Sequence, residues 1–161
     1  MLCACSSVST PLSQPHKIDQ AIPKFQHEET LYAHADKTKW HNFIAKETTL
    51  ETVNAKINSI TYKAELPGHS YWKSPTELVH DGSGNCKDYA LAKFHALKEL
   101  GYDEHRLKIT IVKDTAWRDH AILLVDDSLM LDNENEKIVK REDSDYHFIF
   151  AVNNFGVYQY E

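Results

Sequence analysis

Asp81-Gly82-Ser83-Gly84-Asn85-Cys86-Lys87-Asp88-Tyr89-Ala90-Leu91-Ala92-Lys93-Phe94-His95-Ala96-Leu97 is the stretch on which the reading of this chain turns. Residues 81–85 are small and polar and include two glycines, a composition that marks a loop. From Cys86 onward the pattern becomes helical. Tyr89, Ala90, Ala92, Lys93, Phe94, Ala96, Leu97 and Leu100 give a face rich in small apolar residues, and Gly101 is a natural stop. Cys86 therefore opens a helix. The first turn of a helix presents unpaired backbone N–H groups and a partial positive charge. Both stabilise a thiolate, and the same N–H groups, that of Cys86 included, can receive an oxyanion developing during acyl transfer. Lys87 adds a cation beside it. A lone thiol in a compact domain is more often an inert core residue, so the partners of Cys86 decide between the two readings.

Upstream, Trp40, Phe43, Ile44, Leu50, Val53, Ile57 and Ile60 recur every three or four residues. This spacing predicts helix from Asp36 to Ile60, divided near Thr48-Thr49, where a threonine can cap a second segment. Pro67-Gly68 ends that region. Ser74-Pro75-Thr76-Glu77 reads as a new helix start, with Ser74 as cap and Glu77 three residues on. Downstream the period changes to two. Leu107, Ile109 and Ile111 alternate, Ala121–Val125 is a buried β run, and Asp126-Asp127-Ser128 turns into Leu129-Met130-Leu131. Phe148–Val152 and Val157–Tyr160 add further strands. Helices first and strands after predict an α+β domain with an antiparallel sheet.

The bulk properties narrow the function. The chain has 161 residues, room for one domain, and its 42% apolar and 26% charged content is that of a globular protein. The net charge of −6 leaves no basic stripe for phosphates, which excludes nucleic acid as an expected partner. No run of about 18 apolar residues marks a membrane span. Residues 1–30, with three of the five prolines and no periodicity, read as a tail or extended lead-in, and residues 31–161 as the domain. Within the tail, Met1-Leu2-Cys3-Ala4-Cys5 resembles the end of a bacterial lipoprotein signal that lacks its basic region. The two readings are an export signal remnant with a lipid anchor at Cys5, and a floppy tail with two thiols. Three cysteines are an odd number, and Cys86 stands alone in the folded body.

A cysteine nucleophile needs a base, and the base needs an orienting group. Of the ten histidines, His120 is distinctive because it opens the most apolar strand, facing a helix packed across the sheet. The next strand ends at Leu131-Asp132-Asn133, and a short hairpin brings Asp132 beside His120. Asp119 is less suited, since adjacent strand residues point to opposite faces. Spacing makes Cys86, His120 and Asp132 a candidate set and no more.

Tyr71-Trp72-Lys73-Ser74-Pro75-Thr76-Glu77, Gly84-Asn85-Cys86-Lys87-Asp88-Tyr89-Ala90, Asp119-His120-Ala121-Ile122-Leu123 and Leu131-Asp132-Asn133 together resemble the bacterial transglutaminase-like cysteine proteinase family, in particular its periplasmic, adhesin-cleaving members. The likeness runs from about Trp40 to Tyr160 and includes Asn54 and Asn58. It implies a papain-like core in which a nucleophile-bearing helix packs on an antiparallel sheet carrying His120 and Asp132. It implies cleavage of a large surface adhesin with release of a biofilm, and a membrane receptor for a cyclic dinucleotide as regulatory partner. Tyr71 and Trp72 precede the nucleophile loop and are candidates for the substrate groove, or for packing against the helix. The family carries acidic residues on both sides of its cysteine that help hold calcium. Here those positions are Asn85 and Lys87, with Asp88 retained. A hard dication prefers carboxylate oxygens, so no cofactor is required in this reading, and any calcium site at Asn85 and Asp88 is expected to be weak or absent, with Lys87 standing in for the metal's charge. The rival activities are deamidation or amide transfer on the same scaffold. A different class of reading, an idle binding module, draws on the altered Asn85 and Lys87 and is opposed by the intact Cys, His and Asp.

Overall fold

The computed structural model describes residues 12–161. The chain runs β1 (His16–Ile18), α1 (Pro23–His34), α2 (Thr38–Ile44), α3 (Leu50–Asn58), β2 (Thr61–Tyr62), α4 (Pro75–Asp81), β3 (Ser83–Gly84), α5 (Cys86–Glu99), β4 (Leu107–Lys113), β5 (Asp119–Val125), β6 (Leu129–Asp132), β7 (Asn135–Lys140), β8 (His147–Asn153) and β9 (Gly156–Gln159). Thr49 caps α3 and Ser74 caps α4, each in a reciprocal capping box, at the two sites that the sequence pattern marks. Apart from β1 and the short β2 and β3, helices come first and strands after, as expected of an α+β domain.

Among the described residues, seven strands form an antiparallel sheet in the order β1-β9-β8-β4-β5-β6-β7, and β2 pairs separately, in parallel, with β3. The turn from β5 to β6 has Asp126 and Asp127 at positive φ, and Ser128 N–H closes it on the Val125 carbonyl at 3.1 Å. Two consecutive positive-φ residues match the right-handed twist of the strands they join. One face of the sheet packs on the helices through Leu91, Phe94, Leu97, Ile109, Leu123 and Leu131. Val112, Ile122, Leu124 and Met130 form a second apolar cluster. Helix α5 lies at the centre of the core, and its contact with β5 places Cys86 near the strand that begins at Asp119. Among the described residues no helix is long and apolar enough to cross a membrane.

The N-terminal boundary is a correction. The tail expected over residues 1–30 contains, in its described part, an edge strand and most of a helix. β1 pairs with β9, and Phe25 is 1% exposed, with its ring edge-on to Trp72 and Phe94. Glu28 and Tyr32 of α1 are buried as well. The pattern was weak because α1 contributes few apolar residues and β1 exists only through its partner strand. Residues 1–11, with Cys3, Cys5 and the lipoprotein-signal reading, lie outside the described residues.

Candidate active site

Cys86 is the first residue of α5, half-buried, and its backbone N–H is one of those that a helix cannot satisfy internally. The turn into the helix is held from within. Asp88 Oδ2 accepts the Asn85 N–H at 3.0 Å, and Asp88 Oδ1 accepts the Lys73 N–H at 2.9 Å. A Cβ on Gly84 would fall 2.5 Å from Leu78 Cδ1 and 3.0 Å from Asp88 Oδ2, so a side chain there has to displace Leu78 and crowds the carboxylate.

His120 and Asp132 come from neighbouring strands. The register Leu123↔Leu131 carried three residues further would set His120 opposite Glu134, so Asp132 is its diagonal neighbour. A bulge between Met130 and Asp132 re-aims the end of β6. His120 Nε2 then donates to Asp132 Oδ1 at 2.7 Å, with His120 7% and Asp132 4% exposed. With Nε2 engaged, Nδ1 is the ring nitrogen left for the sulfur. Burial works against a charged ring, but hydrogen bonds to Asp132 and to Cys86, and the negative charge of both, outweigh it and push the His120 pKa up to about 10. Burial likewise works against the Asp132 carboxylate, and the bonds from His120, Glu134 and Tyr146 more than offset it, holding its pKa below the usual range. The arrangement therefore favours an imidazolium paired with the Asp132 carboxylate.

Asp132 has further support that sequence reasoning did not supply. Tyr146 Oη donates to Asp132 Oδ2 at 2.7 Å, and the Glu134 N–H donates to Oδ1 at 3.0 Å. The Tyr146 ring lies 5.6 Å from that of His120. From the helical side, Asn58 Nδ2 donates to the Asp132 carbonyl at 2.8 Å, and Asn54 Nδ2 to the Asn135 carbonyl at 2.9 Å. These two asparagines lie four residues apart on one face of α3, so together they hold the turn that follows Asp132. The spacing of Asn54 and Asn58 among Val53 and Ile57 was a readable signal; nothing local marks Tyr146.

Cys86 and His120 open into a cavity of about 230 Å³ lined also by Tyr62, Glu65, Asn85, Lys87, Ile111 and Asp119. Of the two aromatic residues proposed for the groove, Tyr71 is exposed and lines an adjoining hollow with Glu65, Leu66 and Asn85. Trp72 is 6% exposed and packs on Phe25, so of its two readings the groove one is corrected and the packing one holds. A large apolar ring buries more surface there than a groove wall would allow. Asp119 pairs with Lys113 at 2.8 Å, away from the ring of His120. Lys93, buried on α5 two turns after Cys86, has its pKa lowered to about 7 by burial, partly opposed by the charge of Asp132.

The calcium site of the resemblance, expected here to be weak or absent, does not fit this donor set. Both oxygens of Asp88 already accept backbone N–H groups. Asn85 Oδ1 accepts from Lys87 Nζ at 3.2 Å, so the position beside it is taken by a cation. Among the described residues no three acidic, His or Cys groups converge as metal ligands, and calcium requires six or more oxygens.

An imidazole held by a carboxylate and sharing a cavity with a thiol at a helix tip, in an α+β domain, defines the cysteine hydrolase class. A profile of the bacterial transglutaminase-like cysteine proteinase (BTLCP) family matches residues 22–156, and the chain belongs to that family. It is a cysteine protease with a transglutaminase-like fold. Three structures of Legionella pneumophila LapG are similar to it. The calcium-bound form is 27% identical with a TM-score of 0.68, covering 83% of this chain and 86% of that one. A second LapG structure is 26% identical, with a TM-score of 0.68, over 91% and 90%. The EGTA-treated form is 25% identical, with a TM-score of 0.69, over 92% and 88%. No curated protein matches the chain in sequence.

Proposed function

We propose that the protein is an endopeptidase that uses Cys86 as nucleophile, His120 as acid and base, and Asp132 as the group that orients and charges the imidazole. The observation that carries this reading is the bond from His120 Nε2 to Asp132 Oδ1, with the same ring and Cys86 lining one cavity. Cys86, as thiolate, attacks the scissile carbonyl carbon, and the oxyanion that forms faces the N–H groups at the tip of α5. His120 gives its proton to the leaving amine, which frees the C-terminal fragment and leaves a thioester on Cys86. His120 then takes a proton from water, whose oxygen attacks the thioester. The C–S bond breaks, the acid product leaves and gives its own proton to solvent, and the Cys86 thiolate with protonated His120 is restored. Asp132 retains its charge throughout.

The family resemblance supports a large surface adhesin as substrate, with biofilm release as the outcome, a membrane receptor for a cyclic dinucleotide as partner, and a periplasmic location with Cys5 as a candidate lipid anchor. The test is incubation with an adhesin N-terminal region and mass spectrometry of the products. Two new peptide fragments made by the wild type and absent with Cys86→Ser support the reading. Ammonia release with the polypeptide intact would replace it with deamidation.

A further inference from the structure

We infer that Lys87 and Glu65 form a built-in ionic clamp that replaces a divalent cation at the helix tip and pins one wall of the cleft, so that the wall stands without calcium. The segment from β2 to α4 crosses beside the nucleophile. Its start is fixed by the parallel pairing of β2 with β3 and by the Lys63 N–H, which donates to the Gly84 carbonyl at 2.8 Å. Its end is fixed by the Lys73 N–H on Asp88, and by Lys73 Nζ, which donates to the Ser83 carbonyl at 2.8 Å and pairs with Asp81 at 2.9 Å. Between these ends the tie to α5 is Glu65. One of its oxygens accepts from Lys87 Nζ at 2.8 Å, and the other accepts the Tyr71 N–H at 2.7 Å.

A single carboxylate thus folds the segment back on itself and fastens it to the residue next to the nucleophile. Lys87 Nζ also reaches Asn85 Oδ1, so the ammonium bridges two oxygen donors from two parts of the chain. Bridging oxygens across chain segments is the structural job of a bound dication, here done by a side chain of one positive charge. The pair is well shielded, with the Lys87 side chain 12% and that of Glu65 27% exposed, so it is screened less than a surface pair. Glu65 and Lys87 both line the cavity that Cys86 and His120 share. Lys87 is therefore a positioning residue that acts through Glu65 on the cleft wall.

The readouts are metal binding and local order, so they separate failure of the clamp from failure of the protease reading. The full chain is titrated with calcium by calorimetry and melted in millimolar calcium and in EGTA. The expected result is no binding heat and equal melting temperatures; calcium-dependent stabilisation overturns the inference. Amide hydrogen exchange over residues 63–71 is then compared in Lys87→Met, Lys87→Arg and Glu65→Gln. Loss of the tie speeds exchange in Lys87→Met and Glu65→Gln by about five- to tenfold, with α5 still protected. The Met–Gln double variant exchanges no faster than either single one, and Lys87→Arg retains most of the protection. Unchanged protection in Lys87→Met overturns the clamp.

Discussion

The sheet side of the site and the helix-tip side hold their functional groups by different means. On the sheet side, Asp132 is 4% exposed and takes three donors on its carboxylate, from His120, Tyr146 and Glu134, while Asn58 holds its carbonyl. On the helix tip, cross-bracing runs through Lys87–Glu65 and Lys73–Asp81, pairs that keep contact with solvent. The buried side sets the electronic state of the imidazole, because fixed donors in a dry environment act strongly on charge. The less buried side sets the position of a wall, for which adjustable ammonium groups suffice. Among the described residues, the donors that hold Asp132 are distinct from the groups that tie Lys87 to Glu65 and Lys73 to Asp81, so the two sides are braced independently.

The largest break in this comparison comes from Asp132→Asn. It leaves the shape but removes the charge opposite the imidazole, and the expected loss in kcat/KM is about a thousandfold. A stability signature accompanies it. His120 has a folded pKa of about 10, above its ordinary 6.5, so its charged form contributes stability that is full below 6.5 and is lost as pH rises to about 10. In the variant that pKa falls, and melting curves between about pH 6 and about pH 10 flatten by the His120 share. An unchanged pH profile would remove Asp132 from the role of charging the ring.

Tyr146→Phe takes one donor from the same carboxylate and keeps the ring. A loss of about tenfold in kcat/KM is expected, with KM nearly constant, since the bond serves the orienting group and does not touch the substrate. Asn58→Ala removes the donor to the Asp132 carbonyl, and a destabilisation of about 1–2 kcal/mol in denaturant unfolding is expected, with a smaller effect on rate.

Lys93→Met gives the smallest effect on rate and an opposite pH signature. The folded pKa of Lys93, about 7, lies below its ordinary 10.5, so the charged ammonium destabilises the fold below about 7. That cost fades as pH rises from 7 to 10.5. The variant is expected to be as stable as the wild type or more so at about pH 6, with the difference shrinking by about pH 10. Melting both variants across this window separates the falling contribution of His120 from the rising one of Lys93.

Much of the site was readable because its parts are local. The loop before Cys86, the caps at Thr49 and Ser74, and the tight turn at Asp126-Asp127 each follow from a few adjacent residues. The position of Asp132 beside His120 follows from a short hairpin, although the diagonal register and the bulge that aims the carboxylate do not. Trp72 shows the reverse case. Next to an exposed Tyr71 it looked like part of a groove, and only the packing of Phe25, from a helix absent from the sequence reading, shows that it is core.

By itself, then, the sequence determined that a thiol opens a helix, that a histidine and an aspartate end adjacent strands, and that an antiparallel sheet supports them, because each depends on contacts between near neighbours. The tertiary structure alone decided that β1 closes the sheet on β9, that Tyr146 completes the hold on Asp132, and that Lys87 finds Glu65. Those partners are distant along the chain, and no period or cap encodes a pairing that exists only after the core has brought them together.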